Sequence, residues 1–355
     1  MRALIFRDGR LVVDEVPDPV PDEGQVLIDT LATGICGSDV HVLDLAAQAP
    51  PGTLTDEVIW GHEFCGAVAG FGPGTERKLG LGTRVCSVPV AYSARGVSTL
   101  GAAQGRPGGF AERMVLNESL LIAVPDGLPT EIAALTEPMA VGWHAVAQAN
   151  VRPGDVPLVI GCGPVGLAVI AGLAIKGIHP IIAADFSPFR RRMAEAMGAD
   201  IVLNPAGSSP YERWQEALTP DGRSPAARPQ ADMLGILDIG PKLRPGVIFE
   251  CVGVPGMIQQ VMDGAVRGTR LVVAGVCLVP DQIVPVTAIT KQLSVQFVIG
   301  YTQAEFAQSL RHLADGRIDA APWITGRAGL DEALTAFADL KNPEQHVKIL
   351  IEPWR

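Results

Sequence analysis

The chain has 355 residues, more than one hydrophobic core usually serves, so two domains of roughly 100–200 residues are expected. Apolar residues make up 48% and charged residues 19%, a globular balance that excludes wholesale disorder. With 28 basic against 38 acidic side chains the formal charge is −10, which argues against nucleic acid and against anionic membrane surfaces as partners, since both need a basic face.

In chain order, Arg2–Phe6, Leu11–Val16 and Gln25–Leu31 read as strands separated by Pro/Asp/Gly turns. Short strands punctuated by glycine continue over residues 58–90. From about residue 130 the texture changes. Glu131–Gln148 has a helical pattern, and strands then alternate with helices: Pro157–Ile160, helix 164–176, Pro180–Asp185, helix 188–198 and Ile201–Leu203. The alternation resumes with Val247–Val252, helix 255–267, Arg270–Val276 and Ser294–Ile299. Such alternation means an α/β domain with a parallel sheet covered by helices on both faces. Tyr301–Gly316 and Leu330–Leu340 read as helices and His346–Ile351 as a closing strand.

Val156–Ile175 is 20 residues without a charge, long enough to span a bilayer on length alone. Two prolines and four glycines interrupt it, and a buried strand, a Gly-rich turn and a buried helix account for the same hydropathy. The N-terminus is charged at Arg2 and again at Arg7, so no signal-peptide core is expected there. The six cysteines (36, 65, 86, 162, 251 and 277) are too few and too scattered for a disulfide framework. They read as reduced thiols in a cytoplasmic protein.

Gly161-Cys-Gly163-Pro-Val-Gly166 is a G-x-G-x-x-G placed after an expected strand and at the start of an expected helix. The first glycine permits the tight turn, the second admits a pyrophosphate to the backbone, and the third lets helix and strand pack closely. The helix N-terminus, opening at Pro164 and Val165, presents free N–H groups to phosphates. Asp185 lies nineteen positions after Gly166, where a carboxylate accepts the hydroxyls of an adenosine ribose and repels a 2′-phosphate. That favours NAD over NADP, although Arg190, Arg191 and Arg192 follow closely and offer a phosphate a partner.

Gly34-Ile-Cys36-Gly-Ser38-Asp39-Val-His41 and Gly61-His62-Glu63-Phe-Cys65-Gly66 concentrate two of the six histidines and two of the six cysteines. Thiolate, imidazole and carboxylate are the ligand types of catalytic zinc, commonly three protein ligands and one open position.

These residues resemble the zinc-dependent medium-chain alcohol dehydrogenases, over almost the whole chain. The resemblance rests on the Gly-His-Glu-x-x-Gly block (residues 61–66), Cys36 with Ser38 and His41, Gly109-Phe-Ala-Glu112, Glu137-Pro138, the dinucleotide loop and Phe249-Glu-Cys-Val-Gly253. It implies a β-rich GroES-like catalytic domain (1–138 and 301–355) and a Rossmann doubly wound cofactor domain (139–300). It implies one catalytic zinc held by Cys36, His62 and an acidic residue, either Glu63 or Glu137. Ser38 and His41 match the proton relay, with Glu63 beside it. Cofactor contacts are implied at Gly161, Gly163, Pro164, Val165, Gly166, Asp185, Arg190 and Val276, and at Lys348, which aligns with a position that pairs with the pyrophosphate. The activity implied is hydride transfer between a secondary alcohol or polyol, or the matching ketone, and NAD, in a homodimer or homotetramer. An NADP-dependent carbonyl reductase of the same fold, and a non-catalytic crystallin-like binding protein, are the rival readings.

The chain departs from the pattern in one lobe. The stretch where many members carry four structural-zinc cysteines, Val85 to Phe110, holds only Cys86, so no structural zinc is expected. The small, polar replacement lacks an apolar core, so it is expected to be mobile or to rest on a neighbour. Trp60, Phe64 and the 91–108 loop are candidates to shape the substrate pocket. Leu203–Val247 holds seven prolines and reads as an insertion, more readily a surface embellishment than a lid.

Overall fold

A computed structural model describes residues 1–47, 57–93, 96–101, 106–219 and 243–355. The chain divides into two compact units, Met1–Pro138 with Gln303–Arg355, and Met139–Thr302.

The first unit opens with the antiparallel pair β1 (Arg2–Arg7) and β2 (Arg10–Glu15). There follow β3 (Gln25–Gly34), helix α1 (Gly37–Ala46), β4 (Glu63–Phe71) and β5 (Arg84–Ser87). Next come the hairpin of β6 (Val90–Ser93) and β7 (Gly96–Thr99), then β8 (Arg113–Asn117) and β9 (Leu121–Ala123). The expected helix over 131–148 is two helices, α2 (Thr130–Ala133) and α3 (Thr136–Gln148). The break falls where the Thr136 hydroxyl donates to the carbonyl of Ala133 at 2.6 Å, a side-chain bond that competes with the helical ladder.

The second unit alternates: β10 (Val156–Ile160), α4 (Pro164–Ile175), β11 (Ile182–Ala184), α5 (Pro188–Ala196), β12 (Ile201–Leu203) and α6 (Pro210–Leu218). It continues with β13 (Gly246–Glu250), α7 (Met257–Gly264), β14 (Arg270–Val273), α8 (Pro285–Lys291) and β15 (Ser294–Phe297). The six strands lie side by side in the order β12-β11-β10-β13-β14-β15, all parallel. Numbered within the unit this is 3-2-1-4-5-6, the doubly wound order whose carboxyl edge is a nucleotide site. Every residue of β10 and β13 is buried, as parallel strands covered on both faces require. The uncharged run 156–175 is thus strand, turn and a 12-residue helix, and among the described residues no helix is long and apolar enough to cross a membrane.

The chain then returns to the first unit with α9 (Gln303–Ala314), β16 (Ile324–Ala328), α10 (Ala333–Asp339) and β17 (Lys348–Ile351). The sheet of that unit runs β16-β17-β3-β4-β5-β9, with β8 also on β3. Strands from the two ends of the sequence therefore lie side by side.

Two local expectations change. The replacement lobe rests on its own sheet: Ala91 and Leu100 are buried in one cluster with Val26, Ile28, Phe64 and Val68. The Asn117 amide also clasps the backbone of Tyr92, accepting from its N–H at 2.8 Å and donating to its carbonyl at 2.9 Å. Its residues 94–95 and 102–105 lie outside the described ones. The expected insertion is in part core. Trp214 of α6 is fully buried against the second unit's sheet and donates its indole N–H to the Val156 carbonyl at 2.9 Å. Residues 220–242 lie outside the described residues.

Candidate metal centre and dinucleotide loop

Three strand ends build the first site. Across the β3/β4 pairing Gly34 faces Glu63, and across β17/β3 Leu350 faces Gly34. Cys36, two residues beyond the end of β3, therefore comes beside His62 and Glu63 at the start of β4 and Lys348 at the start of β17. The donor atoms of Cys36, His62 and Glu63 all lie within 4.8 Å of one another. A tetrahedral zinc with bonds of about 2.0–2.3 Å holds its donors roughly 3.3–3.7 Å apart, so a small contraction completes the grip.

The electrostatics of the cluster favour a cation. Burial works against a charged His62 ring, but Asp39, then the Cys36 thiol and Glu137, outweigh it and hold the imidazole well above the usual histidine range. A site that retains a proton this firmly through surrounding anionic groups also suits a metal dication, which takes the proton's place. Sulfur, nitrogen and oxygen donors together match zinc.

Two neighbours complete the arrangement, and sequence reasoning missed both roles. Asp39, in the first turn of α1, accepts from the Cys36 backbone N–H at 3.0 Å and stands 3.7 Å from His62 Nδ1. It fixes the approach of one ligand and orients the other. Burial raises the Asp39 carboxyl above its ordinary range, against the opposing pull of His62 and the Cys36 N–H. Lys348 is the second. Its Nζ is 2.6 and 2.7 Å from the two oxygens of Glu63 and 2.9 Å from the Ile35 carbonyl. Both side chains are 1% exposed. These three acceptors all lie within the first unit, whereas the resemblance implied a pyrophosphate contact for Lys348. Burial alone would lower its pKa, but Glu63, then Cys36 and Glu137, raise it above the ordinary lysine range. The pair also explains Gly34, where a Cβ would come within 2.1 Å of Glu63 Oε2. A strand-start lysine followed by Ile-Leu-Ile was a readable sign of a buried ammonium in need of a counter-ion.

Glu137 is buried in the first turn of α3, near enough to raise the pKa values of both His62 and Lys348, but it is not in the 4.8 Å donor group. Ser38 and His41 sit three apart on α1, which puts them on one face; Ser38 is half-buried and His41 exposed. A cavity of about 310 Å³ lies beside Ser38 and His62, walled by Phe6, Val42, Val58, Trp60 and Leu100. Trp60 does line it. Phe64 does not: it points to the other face of its strand and is buried in the core under the β6–β7 hairpin.

The second site belongs to the parallel sheet. Gly161 has φ of +89° and Gly166 lies so close to it that a Cβ there would come 1.9 Å from the Gly161 carbonyl oxygen. Gly163, the N-cap of α4, faces open space, its nearest neighbour being Arg190 Nη1 at 4.0 Å. The Nε of Arg190 is buried without a hydrogen-bond partner. An open cradle at a helix N-terminus, with an unpartnered guanidinium nitrogen nearby, fits a dinucleotide. Pro164 and Val165 form the first turn of α4. Asp185 follows β11 directly; its oxygens accept from Cys162 N and Ser187 N, both at 2.8 Å, leaving lone pairs for a ligand. Arg191 is tied to the carbonyls of Asp185 and Phe186. Val276, half-exposed, follows β14 at the same carboxyl edge of the sheet.

Residues 164–315 match the zinc-binding dehydrogenase family and residues 22–126 the alcohol dehydrogenase GroES-like domain. The chain is similar to (R,R)-butanediol dehydrogenase of Bacillus subtilis (strain 168), with 31% identity over 96% of each chain. It is 28% identical to sorbitol dehydrogenase of Bos taurus, over 95% of this chain and 92% of that one. Among solved structures, 2R,3R-butanediol dehydrogenase from Bacillus subtilis superposes with a TM-score of 0.78 at 28% identity, covering 99% of both chains. A Sinorhizobium meliloti 1021 protein named for the zinc-binding dehydrogenases and bound to NADP gives 0.80 at 25% identity, again over 99% of each.

Proposed function

The chain belongs to the zinc-dependent medium-chain alcohol dehydrogenase family, and from that premise we propose an NAD-dependent enzyme that interconverts a secondary alcohol or polyol and its ketone with one zinc per chain. The observation that carries this reading is the convergence of Cys36, His62 and Glu63 donor atoms within 4.8 Å, beside a cavity large enough for a small alcohol. When bound, zinc supplies Lewis acidity that brings a hydroxyl's ionisation towards neutral pH, and the nicotinamide takes up the hydride.

The residues divide the remaining work. Cys36 and His62 hold the ion, with a carboxylate oxygen from Glu63 or Glu137 completing the set. Asp39 orients His62, and Lys348 neutralises Glu63 so that two buried carboxylates are tolerated near one thiolate. The Ser38 hydroxyl takes the alcohol proton and passes it towards His41, whose exposed ring returns it to solvent. The apolar walls of the cavity offer the carbon skeleton of the alcohol a surface to pack on. In the second unit the Gly161–Gly166 loop and the first turn of α4 bind the pyrophosphate, Asp185 takes the ribose hydroxyls, and Arg190 and the backbone near Val276 close around the dinucleotide.

Asp185 supports NAD, because a 2′-phosphate would meet its carboxylate; the unpartnered Nε of Arg190 is the observation on the side of NADP. Turnover of one alcohol with each coenzyme tests the choice. A kcat/KM at least tenfold higher with NAD is expected, and a clear preference for NADP would remove the role given to Asp185. Six free cysteines suit a reducing, cytoplasmic setting. A homodimer or homotetramer finds support in β15, an edge strand whose four residues are all exposed, with Phe297 68% and the following Ile299 85% exposed.

A further inference from the structure

The cavity beside His62 is poor in polar partners. Five of its side chains, Phe6, Val42, Val58, Trp60 and Leu100, are apolar, and the Phe6 and Trp60 rings stack with centroids 4.9 Å apart and planes 17° apart. Several polar groups that reach it already hold one partner. Asp39 is bound to the Cys36 N–H and paired with His62. The backbone N–H of Gly101 is given to the Arg106 carbonyl, and the Gly61 carbonyl accepts from Gly109. Among the described residues the hydroxyls of Ser38 and Thr99 and the spare lone pairs of Asp39 and the Gly61 carbonyl remain, all but Thr99 on the His62 side, and Ser38 serves the reacting oxygen in the function proposed above.

We propose that this cavity selects a short secondary alcohol, or its ketone, with an apolar body, and that it discriminates against polyols, with Trp60 setting the length accepted. The inference rests on the zinc-dependent alcohol oxidation already proposed and narrows its substrate class. Volume does not decide the matter, since about 310 Å³ is room for roughly ten waters at about 30 Å³ each, and a hexitol would fit. Polarity does. Each methylene moved from water onto these walls gains about fourfold in binding. Each hydroxyl buried there without a partner loses about fivefold to a hundredfold. Thr99 and the spare lone pairs of Asp39 and Gly61 can meet a hydroxyl or carbonyl neighbouring the reacting one, whereas a chain of hydroxyls laid along Phe6, Val42, Val58, Trp60 and Leu100 finds no partners in those side chains.

The test uses the zinc-loaded enzyme with NAD and compares 2-alkanols from 2-propanol to 2-heptanol with xylitol and sorbitol. Expected is a kcat/KM that climbs about fourfold per methylene until the cavity fills, with both polyols at least a hundredfold below 2-hexanol. Trp60→Ala moves the optimum to longer or branched alcohols. Because Trp60 also packs on Phe6, Val42→Asn provides a second arm; it lowers kcat/KM for 2-heptanol at least tenfold more than for 2-propanol. Calorimetric binding of 2-heptanol, read without turnover, shows a negative heat-capacity change that Val42→Asn reduces. Polyols used as well as the matching alkanols, or a Val42→Asn profile parallel to wild type, would overturn the apolar selection while leaving zinc-dependent alcohol oxidation intact. An enzyme that oxidises neither class with either coenzyme overturns the functional reading itself, and this inference with it.

Discussion

At the scale of single residues, the candidate metal centre is a balance of buried charges. Glu63 and Lys348 are both 1% exposed and depend on each other, since breaking such a pair leaves an uncompensated charge in the core. Lys348→Met is expected to destabilise the protein by about 3–5 kcal/mol in urea unfolding, and adding Glu63→Gln to recover much of the loss. Equal destabilisation by the double variant would show that packing, not charge, is what Lys348 contributes. The raised pKa of His62 has a consequence for metal uptake. A proton held above the usual histidine range must leave before the ring can ligate, so apparent zinc affinity rises as pH rises towards that raised value. Chelator competition at pH 6, 7 and 8 measures it; affinity independent of pH would contradict the charged ring. Residue type marked Cys36, His62 and Glu63 as candidates, and the resemblance left Glu63 and Glu137 open as the acidic ligand; the donor atoms brought within 4.8 Å are those of Cys36, His62 and Glu63. Asp39 and Lys348 were not legible as their partners, since residue 348 meets residue 63 only through the pairing of β17 with β3.

At the scale of elements, the strand–turn–helix around Gly161 was readable because Gly161 and Gly166 answer local steric demands and Gly163 leaves the helix N-terminus open. Gly166→Ala places a methyl 1.9 Å from the Gly161 carbonyl, so the loop must open. NADH binding followed by fluorescence is expected to weaken at least tenfold; wild-type affinity would mean that the third glycine is not needed for the cradle. Periodicity also located most strands to within a few residues. It missed what tertiary partners decide. The helix at 131–148 breaks where Thr136 bonds Ala133, and the polar lobe at 90–99 folds as a hairpin because Asn117 supplies the bonds its own side chains lack. The proline count after Leu203 hid α6, whose Trp214 is fully buried in the core of its unit.

At the scale of the molecule, the alternation of strands and helices specified the parallel sheet, and a charge of −10 is compatible with the small-molecule substrate proposed. The apolar edge at β15 gives the proposed oligomer a testable surface. Phe297→Asp is expected to shift sedimentation towards the monomer, whereas an unchanged assembly would move the interface elsewhere. The proposed function depends most heavily on a zinc held by Cys36, His62 and a carboxylate. Its most direct measurement is titration of zinc into chelator-stripped protein, following metal content by mass and NAD-dependent alcohol oxidation together. Expected is no turnover without metal and full recovery at one zinc per chain, with Cys36→Ser failing to recover while still binding NADH. Undiminished turnover in the stripped protein, or recovery in Cys36→Ser, would contradict it.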